Sequence, residues 1–540
     1  TISTGRFLTT GLLAGCAFLF AAASCDSQKK QSKPPTTAAT VNATTGLVET
    51  AQGDDELAPE VFVDKKPENL GPAAPAIFAL SGLKGYTEPC GCTLDVMLGG
   101  IDRIAAYVED ARKLYPEVHI VDAGDLLFEK AELEETEIPQ EKARVDVVTT
   151  GIADIGVAVT VPGETDFALG TEYYEAKVAA AKVKPIAANL TIAGRELPAT
   201  HEAKLREIDV LYVGIADPSL YEGIEDVKVT APKGALDALQ KEIAAADATV
   251  LLVHGDVSFA KQMLEASPQA DFAVVGHAPR ETDQVDPAGG GFTLEPYDQG
   301  RYLGILKLYN AADGSDASFT NVRQGSKAEA EKVERQIEHV NKSINSLPPS
   351  TPGKEPAVLV TLRKRLERLK ERAEELQNSD LELPKDKPAF LWRTVAMDPS
   401  FRLDPEVRKV REAFNLQLRE LNSAIEFTIP EAKPGEPVFV GTDICASCHS
   451  SAKVFWDETA HSRAMETLEK RNKDFDQNCV GCHVVGWEQP GGVCRLDKVA
   501  GREDVGCESC HGPGSLHAED PSSDNILARP GQDVCVTCHN

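Results

Sequence analysis

Positive charge is scarce in this chain: 56 lysines and arginines face 85 aspartates and glutamates, a formal net charge of −29. Such an acidic balance repels phosphates and argues against a nucleic acid or an anionic membrane as partner. Aromatic side chains are also scarce, at 6% of the 540 residues. The apolar run from Phe7 to Ser24 is too short and too rich in Gly and Ala for a permanent membrane span. The length predicts two or three domains rather than one.

The last hundred residues repeat one short phrase. It reads Cys445-Ala-Ser-Cys448-His449, Cys479-Val-Gly-Cys482-His483, Cys507-Glu-Ser-Cys510-His511 and Cys535-Val-Thr-Cys538-His539. In C-x-x-C-H two thiols can add across the vinyl groups of one haem while the adjacent imidazole binds its iron. A zinc ribbon needs no His directly after each second Cys, and a thioredoxin-like motif would not recur four times. The reading is at least four covalently attached c-type haems. Their porphyrins supply the apolar core that aromatic side chains do not, and their propionates deepen the negative charge. Export follows, because this attachment takes place outside the cytoplasm.

The N-terminus fits export. Arg6 precedes the run from Phe7 to Ser24, which has the character of a signal-peptide core. Its end, Ala22-Ala23-Ser24-Cys25, resembles a bacterial lipoprotein signal. That resemblance implies that residues 1–25 form a signal peptide, that Cys25 carries a lipid anchor, and that the protein sits in the periplasm or on the outer surface. Residues 26–75 read as a disordered tether. The chain starts without Met and stops one residue after His539, so further C-terminal residues are expected.

Over 76–325 the texture changes. Apolar strand-like runs (Ala76–Leu80, Val118–Val121, Pro185–Leu190, Val210–Ile215, Ala248–Val253, Phe272–Val275) alternate with amphipathic stretches such as Ile101–Leu114 and Gly234–Ala246, which predicts an α/β domain. Its loops carry Leu98-Gly-Gly-Ile-Asp-Arg103, Val121-Asp-Ala-Gly-Asp125, Pro162-Gly-Glu-Thr-Asp-Phe167, Val253-His-Gly255, Val275-Gly-His-Ala278 and Gly300-Arg-Tyr-Leu-Gly304. These stretches resemble the calcineurin-like metallophosphoesterases, more narrowly the catalytic domain of secreted 5′-nucleotidases. Such enzymes hold two metal ions about 3.5–4 Å apart. The resemblance implies metal ligands at Asp125, His254 and His277. Elsewhere the chain departs from the family: Gly82-Leu-Lys84 replaces Asp-x-His, Glu164-Thr165 replaces Asn-His, and Pro279 replaces the last His. With half of the ligands lost, a degenerate site is expected, able at most to hold a divalent metal, and not a working two-metal hydrolase. The loop after the first strand holds Glu88-Pro-Cys90-Gly-Cys92. Cys90 and Cys92 read as a strained, easily reduced disulfide, a soft-metal site, or an inert pair.

Over 326–380, Val333, Ile337, Val340, Ile344 and Leu347, then Leu359, Leu362, Leu366, Leu369, Ala373 and Leu376, recur at spacings of three and four around Pro348-Pro-Ser-Thr-Pro-Gly353. This predicts an antiparallel coiled-coil hairpin, a packed connector or else an arm for self-association. Residues 381–436 read as a connector with one helix, Pro405–Ile425. The haem domain follows over 437–540.

Within it, Val440-Gly-Thr-Asp-Ile-Cys445, Trp456, His461-Ser-Arg-Ala464, Cys479-Val-Gly-Cys-His-Val-Val-Gly486 and Gly506-Cys-Glu-Ser-Cys-His-Gly-Pro-Gly-Ser-Leu-His517 resemble the cytochrome c-554 type of multihaem protein. The resemblance implies stacked haems and a second His on most irons. His449, His483, His511 and His539 are the proximal ligands, and His461 and His517 remain as distal ligands. Two irons are left over, to be served by residues further C-terminal, by Met465 or a distant His, or to stay open for small-molecule chemistry. Cys494 belongs to no motif and reads as a loose thiol.

The expected architecture is multidomain: an α/β metallophosphoesterase-like sandwich, an antiparallel helical hairpin, and a haem-packed C-terminal domain with little regular structure. The expected function is electron transfer between redox protein partners. A metal-dependent phosphoesterase with accessory haems, or an oxidoreductase acting at an open haem, are the alternatives.

Overall fold

The computed structural model describes residues 65–539 apart from 69, 71, 91–96, 311–317, 323–326, 347–356 and 378–382. The expected signal segment with Cys25, most of the tether, the Cys90 side chain and Cys92 lie outside the described residues. Among the described residues no helix is long and apolar enough to cross a membrane.

The chain first lays down β1 (Ala76–Leu80), α1 (Ile101–Leu114), β2 (Val118–Asp122), α2 (Ile138–Ile155), β3 (Val157–Thr160), α3 (Thr171–Ala180) and β4 (Lys184–Pro185). β1 to β4 pair in parallel as neighbours. Every residue of β1 is buried, as befits a parallel strand covered on both faces. α1 places Ile101, Ile104, Ala105, Val108 and Ala111 on its buried side, the three-and-four spacing of an amphipathic helix. α2 has a proline in its first turn and ends at Gly156, whose φ of 75° supplies the left-handed cap.

A second sheet follows: β5 (Thr200–Leu205), β6 (Ile208–Ala216), α4 (Pro232–Ile243), β7 (Ala248–Asp256), α5 (Val257–Ala266), β8 (Phe272–His277), β9 (Thr282–Ala288) and β10 (Gly291–Glu295). Its order is β9-β10-β8-β7-β6-β5, with β6, β7, β8 and β10 parallel. The chain then returns to the first sheet with β11 (Tyr302–Tyr309) and β12 (Thr320–Asn321), passes through α6 (Lys327–Ser346) and α7 (Ala357–Gln377), and re-enters that sheet with β13 (Ala389–Ala396). The completed order is β12-β13-β11-β1-β2-β3-β4. α6 and α7 pack on one another with Val333, Val340 and Leu359 buried, as the hairpin reading requires. The proline-rich turn between them lies outside the described residues.

Two expectations are corrected here. Residues 381–436 are more than a connector: β13 pairs with β11 over its whole length. Trp392 is buried against Gly304, where any Cβ would collide with the indole, and donates from Nε1 to the Thr282 carbonyl at 2.8 Å, tying the two sheets together. α8 (Pro405–Asn422), capped by the Asp404 carboxylate on the amides of Glu406 and Val407, packs on α1 and α2. The tether is also ordered before residue 75. Leu70 and Ala74 are buried, and the buried Lys307 ammonium donates to the carbonyls of Leu70 and Pro72 at 2.5 and 2.6 Å.

The C-terminal segment is built from short helices: α9 (Thr442–Ala446), α10 (Ser450–Asp457), α11 (Ala464–Glu469), α12 (Gln477–His483), α13 (Cys507–His511), α14 (Ser515–Glu519) and α15 (Gln532–Cys535). It has the sparse regular structure expected.

Candidate functional site

Two groups of side chains carry chemistry. The first lies where strand ends of both sheets meet. Asp125 follows β2, Glu164 follows β3, His254 lies near the end of β7, and His277 closes β8. Carboxyl ends of parallel strands are where open α/β sheets place their ligands. One donor atom from each of the four residues lies within 4.8 Å of the others.

Close packing holds this geometry. The Asp125 backbone is left-handed, φ 56°, a region that Asp enters more readily than most residues. Its carbonyl accepts from the Lys84 amide at 2.6 Å. A Cβ at Gly124 would strike the His254 ring, and one at Gly163 would strike the Asp125 carboxylate. The Asp125 side chain accepts from the Thr165 hydroxyl at 2.8 Å and meets His277 Nε2 at 3.1 Å. His254 meets the Ala123 carbonyl through Nδ1 at 2.8 Å and Glu164 through Nε2 at 2.6 Å. Nδ1–H anchored on a carbonyl leaves Nε2 as the nitrogen that faces the cluster.

The electrostatics follow from burial. Burial opposes ionisation of Asp125, but His254 and His277 outweigh it and hold the carboxyl below the usual range. Burial likewise opposes protonation of His254, yet Asp125 and Glu164 push its pKa up to about 9. Behind them Asp166, buried and beside Asp125, is raised to about 7. Two imidazoles and two carboxylates form a donor set suited to one divalent transition metal. His277 and Glu164 are partly exposed whereas Asp125 and His254 are buried, so a metal held here would keep a solvent-facing side.

Asp125, His254 and His277 are therefore brought together as expected, and Glu164 is the residue that pattern matching missed. In place of Asn-His it counts as a loss by sequence, but in space its carboxylate completes the set. Lys84, in the loop where a first pair of ligands was looked for, pairs with Asp298 at 3.4 Å.

The second group is the set of cysteine motifs. Cys445, Cys448, Cys507, Cys510, Cys535 and Cys538 form no disulfide among the described residues. Cys479, Cys482 and His483 lie on α12, and Cys507, Cys510 and His511 on α13. His483 Nδ1 meets the Ala464 carbonyl at 2.6 Å, His511 Nδ1 the Leu527 carbonyl at 2.7 Å, and His517 Nδ1 the Ser522 carbonyl at 2.8 Å. In each ring Nε2 is thereby the nitrogen left for a metal.

The rings of His449 and His517 lie 6.1 Å apart at 20°, and those of His461 and His539 lie 6.1 Å apart at 51°. Each pair of rings would be able to hold one haem iron between them. Ile444, Val454, Phe455, Leu527 and Val536 leave apolar surface open around these motifs, where a porphyrin face would be covered. The residues fit haem.

The C-E-x-C-H phrase also has a structural reason. The buried Glu508 carboxylate accepts from the amides of Val440, Gly441 and Gly514 at 2.6 to 3.1 Å, binding α13 to the segment that leads into Cys445.

Similarities to known proteins fall into two sets. Residues 444–512 match the family model described as Cytochrome c554 and c-prime. Cytochrome c-554 of Nitrosomonas europaea is 35% identical over 136 residues, which cover 19% of this chain and 57% of that protein. The chain thus spans little more than half the length of this relative. Among solved structures, a 5′-nucleotidase precursor from Thermus thermophilus aligns at a TM-score of 0.44 with 13% identity, over 70% of this chain and 68% of that one. The calcineurin-like phosphoesterase YfkN from Bacillus subtilis aligns at 0.35 with 18% identity, over 45% and 87%.

Proposed function

We propose that this chain, similar to cytochrome c-554 over its C-terminal segment, is an exported multihaem electron-transfer protein whose α/β domain holds a single-metal centre. The observation that carries the reading is the pairing of imidazoles from the cysteine motifs with the two further histidines, His517 with His449 and His461 with His539, each pair of which would hold a haem iron. Haem c bound by the four C-x-x-C-H motifs supplies one-electron redox chemistry. The chain's own part is to fix ring orientation through the Nδ1 contacts, to cover the porphyrin faces with apolar side chains, and to keep successive motifs close. Export is supported by the N-terminal apolar run and by the place where such haems are attached, and lipid anchoring at Cys25 by the small residues before it. Periplasmic or surface redox proteins are the partners proposed, with self-association through α6 and α7 as a second proposed contact.

Pyridine haemochrome analysis of the full chain should give four haems. In EPR, His517→Ala and His461→Ala should each turn one low-spin ferric haem high-spin. Unchanged spectra in both variants would sink the ligand assignment. His483 and His511 are the proximal ligands for which residues 437–540 offer no further paired histidine.

A second reading is favoured by the gathering of Asp125, Glu164, His254 and His277. Those four residues would hold one divalent metal, which supplies Lewis-acid or redox chemistry when bound. Metal analysis should find one such metal per chain apart from haem iron. Two metals together with nucleotide hydrolysis would instead establish the phosphoesterase alternative.

A further inference from the structure

The turn before Cys479 is built into the α/β domain. Asp476 caps α12 and is 1% exposed. Its carboxylate accepts from Arg144 Nη2 at 2.7 Å, from Gln140 Nε2 at 3.0 Å, and from Lys473 Nζ at 2.9 Å. Arg144 and Gln140 belong to α2. The next residue, Gln477, donates from its amide to Gln140 Oε1 and from Nε2 to the Thr136 carbonyl and to Asn422 Oδ1 of α8. Asn422 in turn donates to the Phe475 carbonyl at 2.6 Å. The charges continue inward: Lys473 lies 3.6 Å from Glu88, which pairs with Arg411, and Arg144 lies 3.6 Å from Glu141. No comparable buried network is needed merely to join two domains, since ion pairs taken out of water cost more than apolar contacts of similar size.

We propose that the haem attached at Cys479 and Cys482 is seated against the α/β domain, and that Arg144 of that domain raises its reduction potential. This rests on the reading of that motif as a haem site. Reduction takes one electron from the donor and turns ferric haem to ferrous, adding one negative charge. A nearby fixed cation favours the reduced state, and a fixed anion opposes it. Both kinds stand at this motif: the Asp476 carboxylate lies three residues before Cys479, with Arg144 Nη2 at 2.7 Å and Lys473 Nζ at 2.9 Å from it. Arg144 is the cation in this set that comes from the other domain and bonds directly to the helix cap. It is a positioning and tuning residue, and touches no substrate.

The test is a spectroelectrochemical titration of the full chain with dye mediators. Arg144→Met should lower one of the four one-electron steps by about tenfold in its equilibrium constant, about 59 mV. Arg144→Lys, which keeps the charge, should leave that step near the wild-type value. Asp476→Asn should move the same step upward. The step is identified as the one missing from a Cys479→Ala/Cys482→Ala variant. Should Arg144→Met fail to fold, the lysine and asparagine variants decide: an unmoved step in Asp476→Asn overturns the proposal. A protein with full haem content and four unshifted steps in all variants rejects this tuning alone, whereas absence of c-type haem bands rejects the haem reading on which it stands.

Discussion

A carboxylate at position 164 changes what the first site can hold. With Asn-His there, the neighbouring imidazole would face a neutral partner; with Glu164, His254 Nε2 has an anion at 2.6 Å. In the metal-free protein the folded-state pKa of His254 is raised to about 9, against about 6.5 in an unfolded chain. A raised imidazole pKa contributes stability that is fully present below about 6.5 and is lost as pH rises towards 9. Urea midpoints of chelator-treated protein should therefore fall across that window, and Glu164→Gln should flatten the fall. The same substitution should weaken binding of a divalent metal at least tenfold by calorimetry, since it removes an anionic donor. Glu508 acts differently, on amides rather than on a metal. Glu508→Ala would leave the buried amides of Gly441 and Gly514 without their acceptor and should cost about 2–4 kcal/mol in chemical unfolding. Asp125, His254 and His277 could be found from short local motifs, Gly-Asp, Val-His-Gly and Gly-His, that stand intact in the sequence. Glu164 could not, because a replaced motif looks like a lost ligand until the fold shows where its oxygen points.

Elements whose signal is local were legible in the same way. β1 begins and ends at the expected residues and α1 spans Ile101–Leu114, since both are set by apolar spacing within one short stretch. β13 was not legible as part of the sheet: its partner β11 lies some eighty residues earlier, across the helical pair, and pairing at that distance leaves no periodic mark. Its contribution is measurable at Trp392, which is 1% exposed. Trp392→Ala should cost about 3–5 kcal/mol, read as a shift in the denaturant midpoint with an unchanged slope. A fragment ending at residue 325 would lack β13 and α8 and should be open to protease where the longer chain resists. Protection of the short fragment equal to that of residues 65–430 would contradict this account of the sheet.

For the whole molecule, the formal charge of −29 sets the long-range field before any contact is made. The proposed electron exchange should be fastest with a cationic partner and should slow as salt is raised, because screening shortens the reach of that field to about 10 Å at 0.1 M. Stopped-flow haem reduction by basic and acidic donors across ionic strengths checks this, and identical salt slopes for both would contradict it. The seam formed by Gln140, Asn422, Asp476 and Gln477 also bears on how the protein is made. On the proposed haem reading, haem would have to reach Cys479, which is half-buried, and Cys482, which is exposed, beside a fully buried Val480. Attachment and folding would then compete in time, and a chain that closed its α/β domain first would carry one haem fewer than the proposal requires.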